Sequence, residues 1–137
     1  PWEVGRFDDI WSGLVLKRAC DVLGTHIYSG EPRCRHDKAP RSTFADLANE
    51  VAGLELNEHV WEIVDRVGDD AESYRAVTRA VAEELLAVDH AEWENGEFLP
   101  YCGEHLHDWL DCLDHLEDQV TTREKPVAAA DGGPGGS

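Results

Sequence analysis

The chain has 137 residues and a formal net charge of −17, with 29 acidic residues against 12 lysines and arginines. This length suits one domain with a hydrophobic core, and a surface so negative repels phosphates, which argues against general DNA or RNA binding. No stretch approaches the roughly 18 apolar residues of a membrane helix, and no signal-peptide pattern opens the sequence. We therefore expect a cytoplasmic protein without a membrane span.

Apolar periodicity predicts a mainly α chain of four to five helices with one short β-type element. The first helix is predicted over residues 8–23, because apolar side chains recur there at three- and four-residue spacing. Asp8 or Asp9 is the expected N-cap, since short acidic side chains accept hydrogen bonds from the first free amides of a helix. Residues 25–29 form the β-type run, and a turn follows it.

A second helix is predicted from Ser42 or Thr43, both good N-cap residues, through Val51. Gly53 is expected to break or bend this helix. A third helical segment is predicted over residues 60–64.

The second half of the chain is predicted to contain two amphipathic helices and a tail. The first helix begins at residues 69–70 and ends near residue 89, and the second covers residues 103–119. Between them, an Asn-Gly pair and Pro100 indicate a loop. We expect residues 1–120 to form one folded unit, followed by a disordered tail rich in Ala, Gly and Pro at residues 121–137.

The first cluster with chemical potential is RFDDIWSG, over residues 6–13. Two adjacent acids at a helix N-terminus are most simply an N-cap and its neighbour. Alternatively, one of Asp8 and Asp9 caps the helix while the other points into a cleft, where a carboxylate binds a sugar hydroxyl or acts as a base. The small residues Ser12 and Gly13 would let a ligand approach closely.

The second cluster is GEPRCRHDKAPR, over residues 30–41, which holds four of the 12 lysines and arginines together with His36. Arg, Lys and neutral His are suited to holding a diphosphate or the metal that bridges it. The alternative is a cationic loop that pairs with the acidic helices around it. Composition leaves both interpretations open.

The remaining Cys and His residues favour no metal site. His105 and His107 are two residues apart, so on a helix they face different directions. No CxxC pair is present, and zinc binding is accordingly the weakest alternative. We expect four reduced and mostly buried thiols: Cys20, Cys34, Cys102 and Cys112.

Taken in this order, the two clusters resemble the signature of the reversibly glycosylated polypeptide, or UDP-arabinopyranose mutase, family. Members carry R-[FY]-D-D-[MI]-W-[AS]-G and, further along, G-x-P-x-x-x-H-x-K-A. Residues 6–13 match the first motif. The resemblance extends over roughly residues 5–118, and the second motif is matched here by Gly30, Pro32, His36, Lys38 and Ala39.

The resemblance implies a GT-A-type α/β fold that binds a nucleotide sugar, UDP-linked in this family, together with a divalent cation, Mn²⁺ or Mg²⁺. It implies the interconversion of pyranose and furanose forms of UDP-arabinose, or a related glycosyltransferase reaction that includes self-glycosylation. The chain would be the C-terminal portion of such an enzyme, without the nucleotide-binding half. Its start at Pro1 and its lack of methionine also lead us to expect a truncation.

The resemblance also assigns roles to individual positions. Asp8 and Asp9 are implied to contact the sugar or to act as catalytic bases. His36 is implied to be a ligand of the metal or the diphosphate. Four further positions are implied to bind the substrate or to shape its pocket: Arg6, Trp11, Gly13 and Lys38.

Two alternatives stay open beside the mutase interpretation. A transferase with a separate acceptor would carry the same motifs. A non-catalytic helical interaction module would account for the amphipathic helices, with Asp8 and Asp9 serving only as caps. If the enzyme interpretation holds, we expect the isolated chain to have little or no activity, to expose an apolar face and to be prone to associate; a homo-oligomer is compatible with it.

Overall fold

A computed structural model describes residue 4, residues 7–35, residue 37 and residues 42–123. This part of the chain forms four helices, namely α1 (Asp8–Val22), α2 (Thr43–Asp65), α3 (Tyr74–Ala87) and α4 (Phe98–Arg123). The prediction of a mainly α chain with four to five helices is confirmed. Within the described ranges, no helix is both long and apolar enough to cross a membrane.

The β-type element predicted at residues 25–29 does not form, and this part of the prediction is wrong. Residues 25–35 adopt no regular secondary structure, and Ile27 and Tyr28 are exposed. A β-strand is stable when a neighbouring strand pairs with its backbone amides and carbonyls. The described residues contain no second strand, so the local β propensity has nothing to pair with.

Helix α1 begins at Asp8, with Phe7 in the N-cap position and without a side-chain cap. The prediction that an aspartate is the N-cap is therefore wrong, because both acids lie inside the first turn. Their carboxylates still lie next to the free amides at the positive end of the helix dipole. The Asp9 Oδ1 accepts a hydrogen bond from the Ile10 amide at 2.9 Å, and the Phe7 ring is buried.

Helix α2 is continuous through Gly53, so the predicted break at this residue is wrong. Ser42 is the N-cap, and its hydroxyl accepts from the Ala45 amide at 3.4 Å. A glycine in a helix interior costs about 1 kcal/mol relative to alanine, which tertiary packing easily offsets. Here Gly53 is buried against the Phe7 ring, so the glycine serves a close packing contact.

The last two helices differ from their predicted bounds at their starts. Helix α3 begins at Tyr74, and the hydroxyl of its N-cap Ser73 accepts from the Ala76 amide at 3.1 Å. Helix α4 begins earlier than predicted, with Pro100 in its first turn, where an amide would have no helical partner and its loss is harmless. Helix α4 also continues into the first residues of the predicted tail, and residues 124–137 lie outside the described residues.

The core lies between α2, α3 and α4. Helix α3 makes its most extensive contact with α4, while α1 packs against α3 and α2. The described polar and charged side chains all stay outside this core. Its most deeply buried side chains are Leu56, Ile63, Val77, Val81, Leu99 and Leu110.

Ion pairs bridge the helices at the surface. The Arg75 guanidinium of α3 reaches Asp114 at 2.5 Å and Glu117 at 2.7 Å, both on α4. Arg18 of α1 pairs with Asp69 and donates to the Val67 carbonyl at 2.8 Å. The second contact fixes the turn between α2 and α3 against α1.

Candidate functional site

A cleft of about 620 Å³ opens between the start of α1 and the middle of α2. The acids Asp8 and Asp9 line it from α1, and Glu50 lines it from α2. The sequence motif with two adjacent acids therefore lies at a cavity and not on a plain surface. The remaining lining residues are Phe7, Ile10, Leu54 and Asn57.

The contact between Phe7 and Gly53 positions one wall of this cleft against the other. A Cβ atom built on Gly53 would lie 2.2 Å from Cδ2 of Phe7. Only glycine lets the buried ring approach the α2 backbone so closely. Because Phe7 immediately precedes Asp8, the close approach also places the acids of α1 beside α2.

Trp11 contacts two of the residues that line the cleft, Phe7 and Asn57. Its ring lies between Phe7, at a centroid distance of 5.7 Å, and Phe98 of α4, at 5.9 Å. Its Nε1 donates a 3.1 Å hydrogen bond to Oδ1 of Asn57. This bond fixes the amide plane of Asn57, whose Nδ2 group is a hydrogen-bond donor. Trp11 is thus a positioning residue for a lining side chain, and it is not itself part of the lining.

The chemistry of the cleft is that of hydrogen-bond acceptors. Carboxylate oxygens of Asp8, Asp9 and Glu50 can accept several hydrogen bonds each, and Asn57 supplies a donor. This arrangement suits a polyhydroxylated ligand such as a sugar. The same three carboxylates repel a diphosphate, since like charges at short range are unfavourable.

The structure separates the predicted site residues into three groups. Asp8 and Asp9 line the cleft and Trp11 supports it. Gly13 lies on the exposed side of α1, where an added Cβ would meet nothing within 4 Å. The predictions for the remaining three fall outside the described residues: Arg6, His36 and Lys38.

Sequence reasoning did not single out Glu50 and Asn57 as site residues. They lie on α2 at a seven-residue interval, with Leu54 between them, and such spacing places side chains on one helix face. The only local signal was Gly53, an unfavourable residue inside an otherwise strong helical pattern. A glycine in that context indicates a close packing contact, and the cleft lies beside this one.

No metal centre is formed by the described part of the chain, where no three Cys, His, Asp or Glu side chains are grouped suitably for an ion. The four cysteines are free thiols; Cys20 is buried and Cys102 is partly buried. Cys34 and Cys112 are exposed, so the prediction of mostly buried thiols is only half right. Burial raises the pKa of Cys102 to about 11.

Curated plant proteins named UDP-arabinopyranose mutase, or probable UDP-arabinopyranose mutase, match the chain. The Solanum tuberosum protein named probable UDP-arabinopyranose mutase 2 is 37% identical over 119 residues, which cover 82% of this chain and 30% of that protein. The Pisum sativum protein named probable UDP-arabinopyranose mutase 1 is 26% identical over 140 residues, with coverages of 92% and 35%. The UDP-arabinopyranose mutase 1 of Arabidopsis thaliana is 25% identical over 119 residues, with coverages of 82% and 31%.

This chain is a homologue of the UDP-arabinopyranose mutases. The resemblance drawn from the two motifs is thereby confirmed. The chain spans about a third of the length of these relatives, between 30% and 35%. No family model matches the chain, and no solved structure matches it significantly.

Proposed function

We propose that this chain forms part of a UDP-sugar mutase that interconverts pyranose and furanose forms of its sugar, and that the cleft between α1 and α2 receives the sugar. The observation that carries the proposal is the position of Asp8 and Asp9, which line a cleft of about 620 Å³ together with Glu50. The names of the matched relatives supply the substrate class.

Ring interconversion requires a proton exchange that carboxylates can perform. When a pyranose becomes a furanose, the bond between the anomeric carbon and the ring oxygen breaks, and a bond forms from that carbon to the oxygen of the incoming hydroxyl. The hydroxyl loses its proton and the leaving oxygen gains one, so a carboxylate within hydrogen-bond reach of both can accept this proton and pass it on. Asp8 and Asp9 are exposed to the cleft at the start of α1, where a sugar has access to them.

The diphosphate is proposed to lie away from these acids, on the cationic segment of residues 33–41. Arg33 and Arg35 are exposed, and Arg35 pairs with Asp37 at 3.1 Å. His36 and Lys38 of the second motif are proposed to contact the diphosphate. This division places the neutral sugar on the acceptor-rich wall and the anionic group on the cations.

The rest of the enzyme is proposed on the resemblance to the family. The chain would be the helical C-terminal portion of a GT-A-type α/β fold, in a cytoplasmic enzyme that uses Mn²⁺ or Mg²⁺. The described residues do not by themselves fit a resident divalent ion. When bound, such an ion would neutralise negative charge on the diphosphate.

The test is turnover of UDP-arabinose by the complete enzyme that contains this chain. Asp8→Asn and Asp9→Asn each keep the shape of the side chain and remove the base, so at least one should lower kcat by about 10²-fold or more. Asp21→Asn is the matched control, because Asp21 is an exposed acid of the same helix that pairs with Lys17 away from the cleft. Wild-type kcat in both cleft variants would refute the proposed role.

A further inference from the structure

The first half of α2 extends beyond the hydrophobic core. Residues 43–52 include no buried residue, and the buried residues of α2 begin at Gly53. In this half, Phe44 is 84% exposed and Leu47 is 50% exposed. The segment therefore lacks the tertiary burial that the rest of α2 has.

Exposed apolar residues follow one face of α2. The first four recur at three- and four-residue intervals over residues 44–54, about 15 Å at 1.5 Å per residue, and Trp61 lies two turns further along the same face, beyond the exposed Glu58. An exposed apolar strip of this size is typical of an interaction site. The apolar ridge of α2 comprises Phe44, Leu47, Val51, Leu54 and Trp61.

The charge around the ridge decides what it can contact. Helix α2 contains no lysine or arginine. Exposed acids accompany the ridge, among them Glu55, Glu58 and Glu62. A second copy of this chain would bring acids against acids, and an anionic membrane or a nucleic acid would be repelled in the same way. A complementary surface carries lysines or arginines beside its apolar residues.

We propose that the apolar ridge of α2 is a docking surface for a polypeptide segment whose own apolar strip is flanked by lysine and arginine. Leu54 belongs both to the ridge and to the lining of the cleft. A segment docked on the ridge therefore also forms one border of the cleft. The docking proposal is argued from the fold and charge of α2, and it does not require that the cleft carries out the proposed reaction.

The test uses two labelled amphipathic helical peptides with the same leucine face, one flanked by lysines and the other by glutamates. Fluorescence anisotropy should show that the lysine peptide binds the full chain and the glutamate peptide does not. Binding should weaken when the ionic strength rises from about 0.05 M to about 0.5 M. The double variant Leu47→Glu/Val51→Glu should weaken binding of the lysine peptide by about tenfold or more.

The control is Leu116→Glu on α4, where Leu116 is 57% exposed and thus similar to Leu47. This variant adds one acid elsewhere and should leave the affinity within about twofold. Phe44→Ser is a milder variant, for use if circular dichroism shows that the double variant loses helix; its affinity should fall as well. Equal affinity for the two peptides, or equal losses in the ridge and control variants, would overturn the proposal. The proposal would also be overturned if the unmodified chain self-associated or bound anionic vesicles and the double variant Leu47→Glu/Val51→Glu did not.

Discussion

The substitution Gly53→Ala tests the contact that brings α1 to α2. An added Cβ would lie 2.2 Å from Cδ2, 2.5 Å from Cε2 and 2.8 Å from Cγ of Phe7, so the ring must move. Phe7 is buried, and exposing a large apolar side chain costs about 1.5–3 kcal/mol. The gain in helix propensity from Gly to Ala is about 1 kcal/mol. The net expectation is a loss of about 0.5–2 kcal/mol in the free energy of unfolding.

Urea denaturation followed by circular dichroism measures this loss, and Gly13→Ala is its matched control. Both glycines lie inside helices, but an added Cβ at Gly13 meets nothing within 4 Å. That variant should therefore gain about 0.5–1 kcal/mol. In the background Phe7→Ala, Gly53→Ala should become neutral or stabilising. If Gly53→Ala alone stabilises the protein as much as Gly13→Ala does, the packing of Phe7 on α2 is refuted.

Two further predictions concern a thiol and an indole. Because burial raises the pKa of Cys102 to about 11, this thiol should react with iodoacetamide near pH 8 far more slowly than the exposed Cys34 and Cys112, as peptide mass spectrometry would show. Since the folded state holds the Cys102 proton more tightly than the unfolded state does, the free energy of unfolding should fall as the pH rises from 9.0 towards 11. Equal labelling of all three thiols would contradict the slow reaction predicted for Cys102. Trp11→Phe removes the Nε1 donor to Asn57 and should cost about 1 kcal/mol in urea denaturation. In an Asn57→Ala background, Trp11→Phe should lower the free energy of unfolding by clearly less. An equal loss in both backgrounds would refute the hydrogen bond.

The helices could be predicted because apolar periodicity depends on sequence alone, and the Ser42 cap of α2 was also predicted. The start of α3 was not. Both Asp69 and Ser73 are good N-cap residues, and the local sequence does not rank them. In the structure, Arg18 of α1 pairs with Asp69 in the turn. The N-cap is Ser73. The ion pair of Asp69 joins residues far apart in sequence and has no local signature.

The difference between local and tertiary signals also explains why only two of the four polar lining residues of the cleft were predicted. Asp8 and Asp9 are adjacent, so a local motif sufficed to single them out. The residues that face them, Glu50 and Asn57, come from a helix that begins more than 30 residues later and were visible only once α1 was placed against α2.

The packing of Phe7 on Gly53 links the motif of α1 to the cleft. On an isolated helix, an acid pair in the first turn would interact only with the free amides there and with the helix dipole. The buried ring of Phe7 anchors that start on α2, and Trp11, one turn later, bonds to Asn57 of the same helix. Two contacts one turn apart fix both the position and the rotation of the first turn. Residues 7–10 thus form one wall of the cleft because Gly53, far along the chain, leaves room for the Phe7 ring.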